Sequence, residues 1–367
     1  MKATTPRGFS ADTEILTRRG WLGFDQVTYL DAVATRTPEG KFLWRHPERL
    51  TWERYDGDLI WFHSRTANLM AAPETPILHL FVPRATANGK RYELPPVERT
   101  RAASSLTNWH GSLVATSTWN PDSPRSEFIL TGTQARTYGT RYLPLRQFQA
   151  SSPDFAAFMG MYLAEGNLGI GGRQGYDVWI WQKHQGRGFS EFQDLLNRIA
   201  GRPLPHNPKK GCWHFCNKGL YQFLKTCGGY AWTKVIPPEI LDLPPGSLEQ
   251  FWRYYSLGDG TVMNHPDGSR KPLDVISTTS KVMAGQFQEI LQKLGGWALI
   301  QVIDYSKYQS KLGKTSRLTY RLVRRAGATA YATYVEHVSY SGMLGHAETG
   351  IGPVYVRREG RPVWAGL

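Results

Sequence analysis

Two stretches of the chain, FMGMYLAEG at 158–166 and WRYYSLGDG at 252–260, have one design: an apolar helix ending on an acid and then a glycine. The acids, Glu165 and Asp259, stand 94 residues apart, and the segments behind them recur in the same order. After the first come a strand (YDVWIWQKH, 176–184), an amphipathic helix (FSEFQDLLNRIAG, 189–201), a strand (CWHFC, 212–216) and a helix (GLYQFLKTCGG, 219–229). After the second come strand 273–280, helix KVMAGQFQEILQKLGG (281–296), strands 297–304 and 317–325, and a short Ala/Tyr helix. A repeat of this length implies two related half-domains about a pseudo-two-fold axis.

An acid in the last turn of a helix faces the negative end of the helix dipole and costs roughly 0.3–1 kcal/mol. A single acid there reads as a solvated side chain beside a C-cap glycine. Two at matching places in a repeat read differently. If the helices pack side by side, both carboxylates and both helix ends converge on one negative spot, which a divalent cation would neutralise. Mg²⁺ (or Mn²⁺) is held by one or two carboxylates with water and phosphate oxygens, a donor set suited to phosphodiester displacement.

Charge agrees with such a substrate. Lys and Arg number 44 against 30 Asp and Glu, a formal excess of +14 spread along the chain, which points to a polyanionic partner. Three cysteines make no disulfide framework and fit a reducing cytosol, so a cytoplasmic protein is expected. Cys212 and Cys216 flank His214, but on a strand the two thiols would lie roughly 13 Å apart, too far to share a zinc ion. These residues are expected to be buried free thiols. No apolar run reaches the ~20 residues of a membrane helix, and no signal-peptide core is present at the N-terminus.

Residues 9–85 are built of short apolar runs broken by Gly, Pro, Asp and Asn, the pattern of β structure. Residues 86–148 read as an extended insertion. The Ser-Pro-Asp at 152–154 opens the first helix, and β patterning returns at about 335. The expected fold class is therefore α+β. A mostly-β domain (1–148 and 335–367, with a DNA-contact insertion at about 86–148) is split by an α/β repeat at 149–334 whose joint lies near 230–246.

Residues 152–334 resemble a LAGLIDADG homing endonuclease with both halves in one chain. FMGMYLAEG and WRYYSLGDG match its two motifs and KVIPPEI (234–240) matches the joint before the second. The resemblance implies an αββαββα order in each half, metal binding by Glu165 and Asp259, and cleavage of double-stranded DNA across the minor groove. It further implies a long target site and a monomer. Gln182 and Ser280 match polar site residues at strand ends, and Lys218 and Arg325 match basic residues near the cleavage site. Lys183, Arg270, Lys271, Lys307, Lys311, Lys314 and Arg317 are candidate phosphate or base contacts. Tyr254 departs from the pattern, which has a small residue there.

The flanks resemble an intein, a Hint-fold splicing domain: GFSADTEILTRRGWLGFDQV (8–27) looks like its first block and YVRREGRPVWAGL (355–367) like its last. The chemistry of splicing is absent from the matching positions. Gly8 stands where a Cys or Ser nucleophile is needed. Ala72 and Thr75 replace the Thr and His of Thr-x-x-His, whose His protonates the leaving amide, and Leu367 stands where a terminal Asn would cyclise. The expectation is a site-specific endonuclease with splicing lost. The alternatives are an intein splicing by a variant route and an inactive DNA- or RNA-binding module.

Overall fold

The computed structural model describes residues 6–87, 90–107, 111–132, 136–138, 141–143, 147–169, 175–264, 270–305, 317–325 and 327–366. The chain is α+β, richer in strand than helix, and divides into two units. The β unit comprises Met1–Asn120, Leu291–Ile300 and Arg324–Leu367; the α/β unit comprises Pro121–Ile290 and Gln301–Val323. No helix among the described residues is long and apolar enough to cross a membrane.

The β unit is woven from both ends of the chain. Strand Arg49–His63 pairs antiparallel along its whole length with Tyr334–Glu348, from His63 opposite Tyr334 to Arg49 opposite Glu348. These two, with Phe9–Ser10 and Asn68–Ala71, close a small barrel. In the larger sheet, Thr13–Thr17 pairs with Val354–Arg358, so the two intein-like blocks are neighbours. Buried residues of these strands, among them Phe9, Ile15, Ile60, Phe62, Leu69, Val354 and Val356, form one cluster. Closure removes free edges from the barrel strands, which suits strands this apolar.

The α/β unit holds most of the repeat, with residues 291–300 and 324–325 of its second half assigned to the β unit. In its first half, α1 (Ser152–Glu165) leads to strands Gly166–Gly169 and Asp177–Trp181 and then α2 (Phe189–Ala200). Strands His206–Asn207 and Cys212–Cys216 and α3 (Lys218–Lys225) follow. A short α4 (Pro238–Leu241) lies in the joint. The second half has α5 (Pro245–Asp259), strands Gly260–Asn264 and Arg270–Thr278, α6 (Lys281–Lys293), and strands Trp297–Asp304 and Leu318–Arg325. Each half folds into a four-stranded sheet with the same order, first-second-fourth-third. That shared topology is the physical form of the 94-residue spacing.

Three expectations need correction. The hairpin Glu127–Leu130 with Phe148–Ser151 belongs to the α/β unit, because Phe128 and Phe148 pack their rings on Phe155 of α1 at 4.3 and 5.7 Å. Residues 291–300 and 324–334 fall in the β unit, where Trp297 and Leu299 join its core. The Ala/Tyr stretch after residue 325 is not a helix. Thr329–Ala332 is a strand on Gly111–Val114, with Ala330 and Ala332 buried, so tertiary pairing overrides alanine's helical preference.

Candidate active site

α1 and α5 pack tightly, and the reason lies in two glycines. A Cβ added at Gly160 would land on the Phe251 carbonyl, and one at Gly258 would meet the Ala164 Cβ at 2.7 Å. Without side chains at these points the two helix backbones approach closely. Tyr254 does not obstruct them, because its ring stacks on Phe192 of α2, 6.1 Å between centroids.

The last residues of α1 and α5 are Glu165 and Asp259. Glu165 Oε1 lies 3.3 Å from where a Cβ of Gly258 would stand, so the two acids share one end of the helix pair. Burial, and secondarily the Asp259 charge, push Glu165 up to about 7. Burial raises Asp259 to about 6 although its carboxylate keeps contact with solvent, while Lys234 and a Tyr255 hydrogen bond oppose the rise. Both acids therefore bind protons more readily than free carboxylates, chiefly because burial disfavours their charged forms, with the Asp259 charge adding to the effect on Glu165.

Two cations answer this charge, and sequence reasoning assigned neither. The Lys234 ammonium is buried and donates to three carbonyls at the end of α1: Leu163 at 2.8 Å, Gly166 at 3.0 Å and Tyr162 at 3.3 Å. Burial lowers its pKa, while Asp259 and Glu165 pull it back up. Arg187 does the same for α5, donating to the carbonyls of Ser256 at 2.5 Å and Gly260 at 2.6 Å. Each motif helix thus has a cation on its unsatisfied carbonyls, which offsets part of the dipole cost of the acids. Lys234 opens the KVIPPEI joint, so a site role was legible there in principle; Arg187 sits in a loop with no repeat partner.

The remaining sequence candidates are placed as follows. Gln182 lines a cleft of about 790 Å³ together with Glu165, Lys183, Lys209 and Lys210, and donates to the Arg187 carbonyl at 3.0 Å. Ser280 is buried and caps α6: its hydroxyl accepts from Met283 N at 3.1 Å and donates to the Lys234 carbonyl at 2.7 Å. It positions the Lys234 backbone. Lys218 opens α3 with its ammonium 5.3 Å from the Tyr176 ring centre. Arg325 belongs to the β unit, outside the unit that holds the acids.

Arg317 lies 3.5 Å over the Trp232 ring. Arg270 and Lys271 are on strand Arg270–Thr278, but their side chains lie outside the described residues, as do Lys307, Lys311 and Lys314 altogether. In the 86–148 region the Arg99 guanidinium covers the Phe81 ring at 3.8 Å.

Gly8, Ala72 and Thr75 come together in the β unit. Gly8 N donates to Thr75 Oγ1 at 2.9 Å, Thr75 Oγ1 donates to the Gly8 carbonyl at 3.0 Å, and Ala72 N donates to that carbonyl at 2.9 Å. The Thr75 hydroxyl thus both accepts from and donates to the backbone of Gly8. Gly8 has φ +141°, and a Cβ there would stand 2.7 Å from the Gly345 carbonyl oxygen. Leu367 lies outside the described residues.

No protein-family profile matches the chain, and no curated protein matches it. Among solved structures, one similar chain is a splice-inactive, GSH-linked variant of the AceL NrdHF class 3 split intein. It is 11% identical and the match covers 39% of this chain and 77% of that one, with a TM-score of 0.20. At that score the likeness carries no weight for the fold.

Proposed function

We propose that the protein is a site-specific, metal-dependent DNA endonuclease of the LAGLIDADG type, set within a Hint-like β domain that has lost splicing. One observation carries the reading: two topologically equivalent halves deliver Glu165 and Asp259 to the same end of a close helix pair, with the Lys234 ammonium beside them. The donors suit a hard cation, since two carboxylates leave room for water and phosphate oxygens. Glu165 and Asp259 would hold Mg²⁺ (or Mn²⁺), which supplies Lewis-acid polarisation of a phosphodiester.

The chain's own groups prepare that site. Lys234, fixed by three carbonyls, places positive charge where phosphate negative charge would build up. Glu165 retains a proton up to about pH 7 when no cation competes for it. Lys183, Lys209 and Lys210 give the adjoining cleft a cationic wall suited to a DNA backbone. In this reading the two sheets track the major groove and the duplex is cut across the minor groove, as one polypeptide acting on a long site.

The test is selection of cleaved sites from a randomised DNA library in Mg²⁺, repeated with Glu165→Gln and Asp259→Asn. Cleavage by the parent, and binding without cleavage by both variants, is the expected outcome. Target binding with no cleavage by the parent in Mg²⁺ or Mn²⁺ would make the repeat a binding module.

A further inference from the structure

The strand pair Asp177–Trp181 and Cys212–Cys216 carries a second cluster, remote in kind from the carboxylates at the helix ends. In its register Asp177 stands opposite Cys216 and Trp179 opposite His214, so all four side chains share one face of the sheet. Three of them converge. Asp177 Oδ1 lies 2.9 Å from His214 Nε2 and 2.8 Å from Cys216 Sγ, and the imidazole nitrogen is 3.8 Å from the thiol sulfur. Among the described residues this is the group of His, Cys, Asp and Glu side chains whose donor atoms converge tightly enough for one ion.

We infer that Asp177, His214 and Cys216 form a binding site for a single Zn²⁺ ion, with three protein ligands and a fourth position open to solvent. The donor set argues for the metal. One carboxylate oxygen, one imidazole nitrogen and one thiolate sulfur suit a borderline-soft ion and disfavour Mg²⁺ or Ca²⁺. The distances argue for the geometry. Tetrahedral zinc with bonds of ~2.0–2.3 Å needs its donors ~3.3–3.6 Å apart. Two of the three gaps must widen by ~0.4–0.8 Å and the third close slightly, within the reach of side-chain rotation.

The surroundings argue for a built site. Asp177 is 6% exposed, its oxygen aimed at both partners, while Cys216 is open to solvent and gives an ion its way in. The His214 ring stacks on Trp179 with centroids 4.2 Å apart, which holds the imidazole in the orientation that presents Nε2 to Asp177. Binding replaces the Cys216 S–H bond by a Zn–S bond, and the thiol proton leaves to solvent.

Cys212 and Cys216 do not share an ion, as the strand spacing requires. Cys212 is buried at the other end of the strand, opposite Trp181. The aspartate on the neighbouring strand completes the set instead. This inference is independent of the endonuclease reading.

The experiment uses the full chain, reduced and stripped of metal, titrated with Co²⁺ as a spectroscopic stand-in for zinc. The expected result is one equivalent of Co²⁺ giving a thiolate-to-cobalt charge-transfer band in the near ultraviolet and tetrahedral visible bands, both bleached by Zn²⁺. Glu165 and Asp259 contain no sulfur and cannot produce the charge-transfer band. Cys212→Ser should keep the band and Cys216→Ser should lose it. Asp177→Asn and His214→Ala should each weaken Zn²⁺ retention against a chromogenic chelator by ~10-fold or more. Absence of the band in the parent protein, or its survival in Cys216→Ser, overturns the proposal and leaves the cluster a set of hydrogen bonds.

Discussion

Replacing Glu165 by glutamine should stabilise the metal-free protein, by an amount that depends on pH in a calculable way. The folded carboxyl holds its proton to about 7, against an ordinary value of 4.5 in the unfolded chain. Between these values the folded state binds more protons than the unfolded one, so ionisation costs stability that grows as pH rises and levels off above about 7. The cost is roughly 1 kcal/mol at pH 5 and roughly 3 kcal/mol at pH 8. Glutamine keeps the shape and removes the charge. Asp259 titrates in both proteins, and its coupling to Glu165 means that the difference includes the relief Asp259 gains when its charged neighbour is removed. The assay is calorimetric melting of parent and Glu165→Gln in chelator from pH 5 to pH 8. The gap in Tm should widen by roughly 5–10 °C across that range, taking 2–4 °C per kcal/mol for a unit of this size. A gap that does not change with pH would refute the claim that burial and the Asp259 charge raise the proton affinity of Glu165.

Lys234→Met leaves three helix-end carbonyls without their donor and should destabilise the protein by about 1–3 kcal/mol in melting experiments, while abolishing cleavage. Gly160→Val forces a side chain into the Phe251 carbonyl, and should cost about 1–3 kcal/mol and separate the two acids, read as lost cleavage. DNA affinity should fall by roughly 10³–10⁵ between 50 and 200 mM salt if ~6–10 phosphates are neutralised, and a flat plot would exclude an extended groove contact. Protein carrying added flanks should stay unspliced by mass spectrometry. Gly8→Cys should not rescue it, because the new Cβ would meet the Gly345 carbonyl at 2.7 Å in a backbone conformation that side chains avoid.

What could be read in advance was whatever the repeat wrote twice. Glu165 and Asp259 stood out because each contradicts helix electrostatics at an equivalent place. Lys234 and Arg187 were missed because they come from a joint and a loop, where no second copy marks them. The Asp177–His214–Cys216 cluster was missed for another reason: it depends on which residue of one strand lies opposite which residue of the next. The spacing within 212–216 was read correctly and still concealed the partner on the neighbouring strand. Around 121–148 the Arg-, Thr- and Ser-rich composition does not change where the chain passes between units. Only the packing of Phe128 and Phe148 on α1 marks the transfer.

The fifteen-residue ladder between Arg49–His63 and Tyr334–Glu348 bears on how the chain is made. His63 meets Tyr334, about 270 residues later in synthesis. At ~5–20 residues per second a ribosome needs roughly 15–55 s to deliver that partner. For that interval Leu59, Ile60 and Phe62 lie on a strand lacking the neighbour that completes its barrel. The first half of the repeat is contiguous from α1 to α3, so its four-stranded sheet has no such wait. The nascent β unit is therefore the stage at which chaperone capture or pairing between polysomal neighbours will compete with the native topology, and chains that stop before residue 334 should be insoluble.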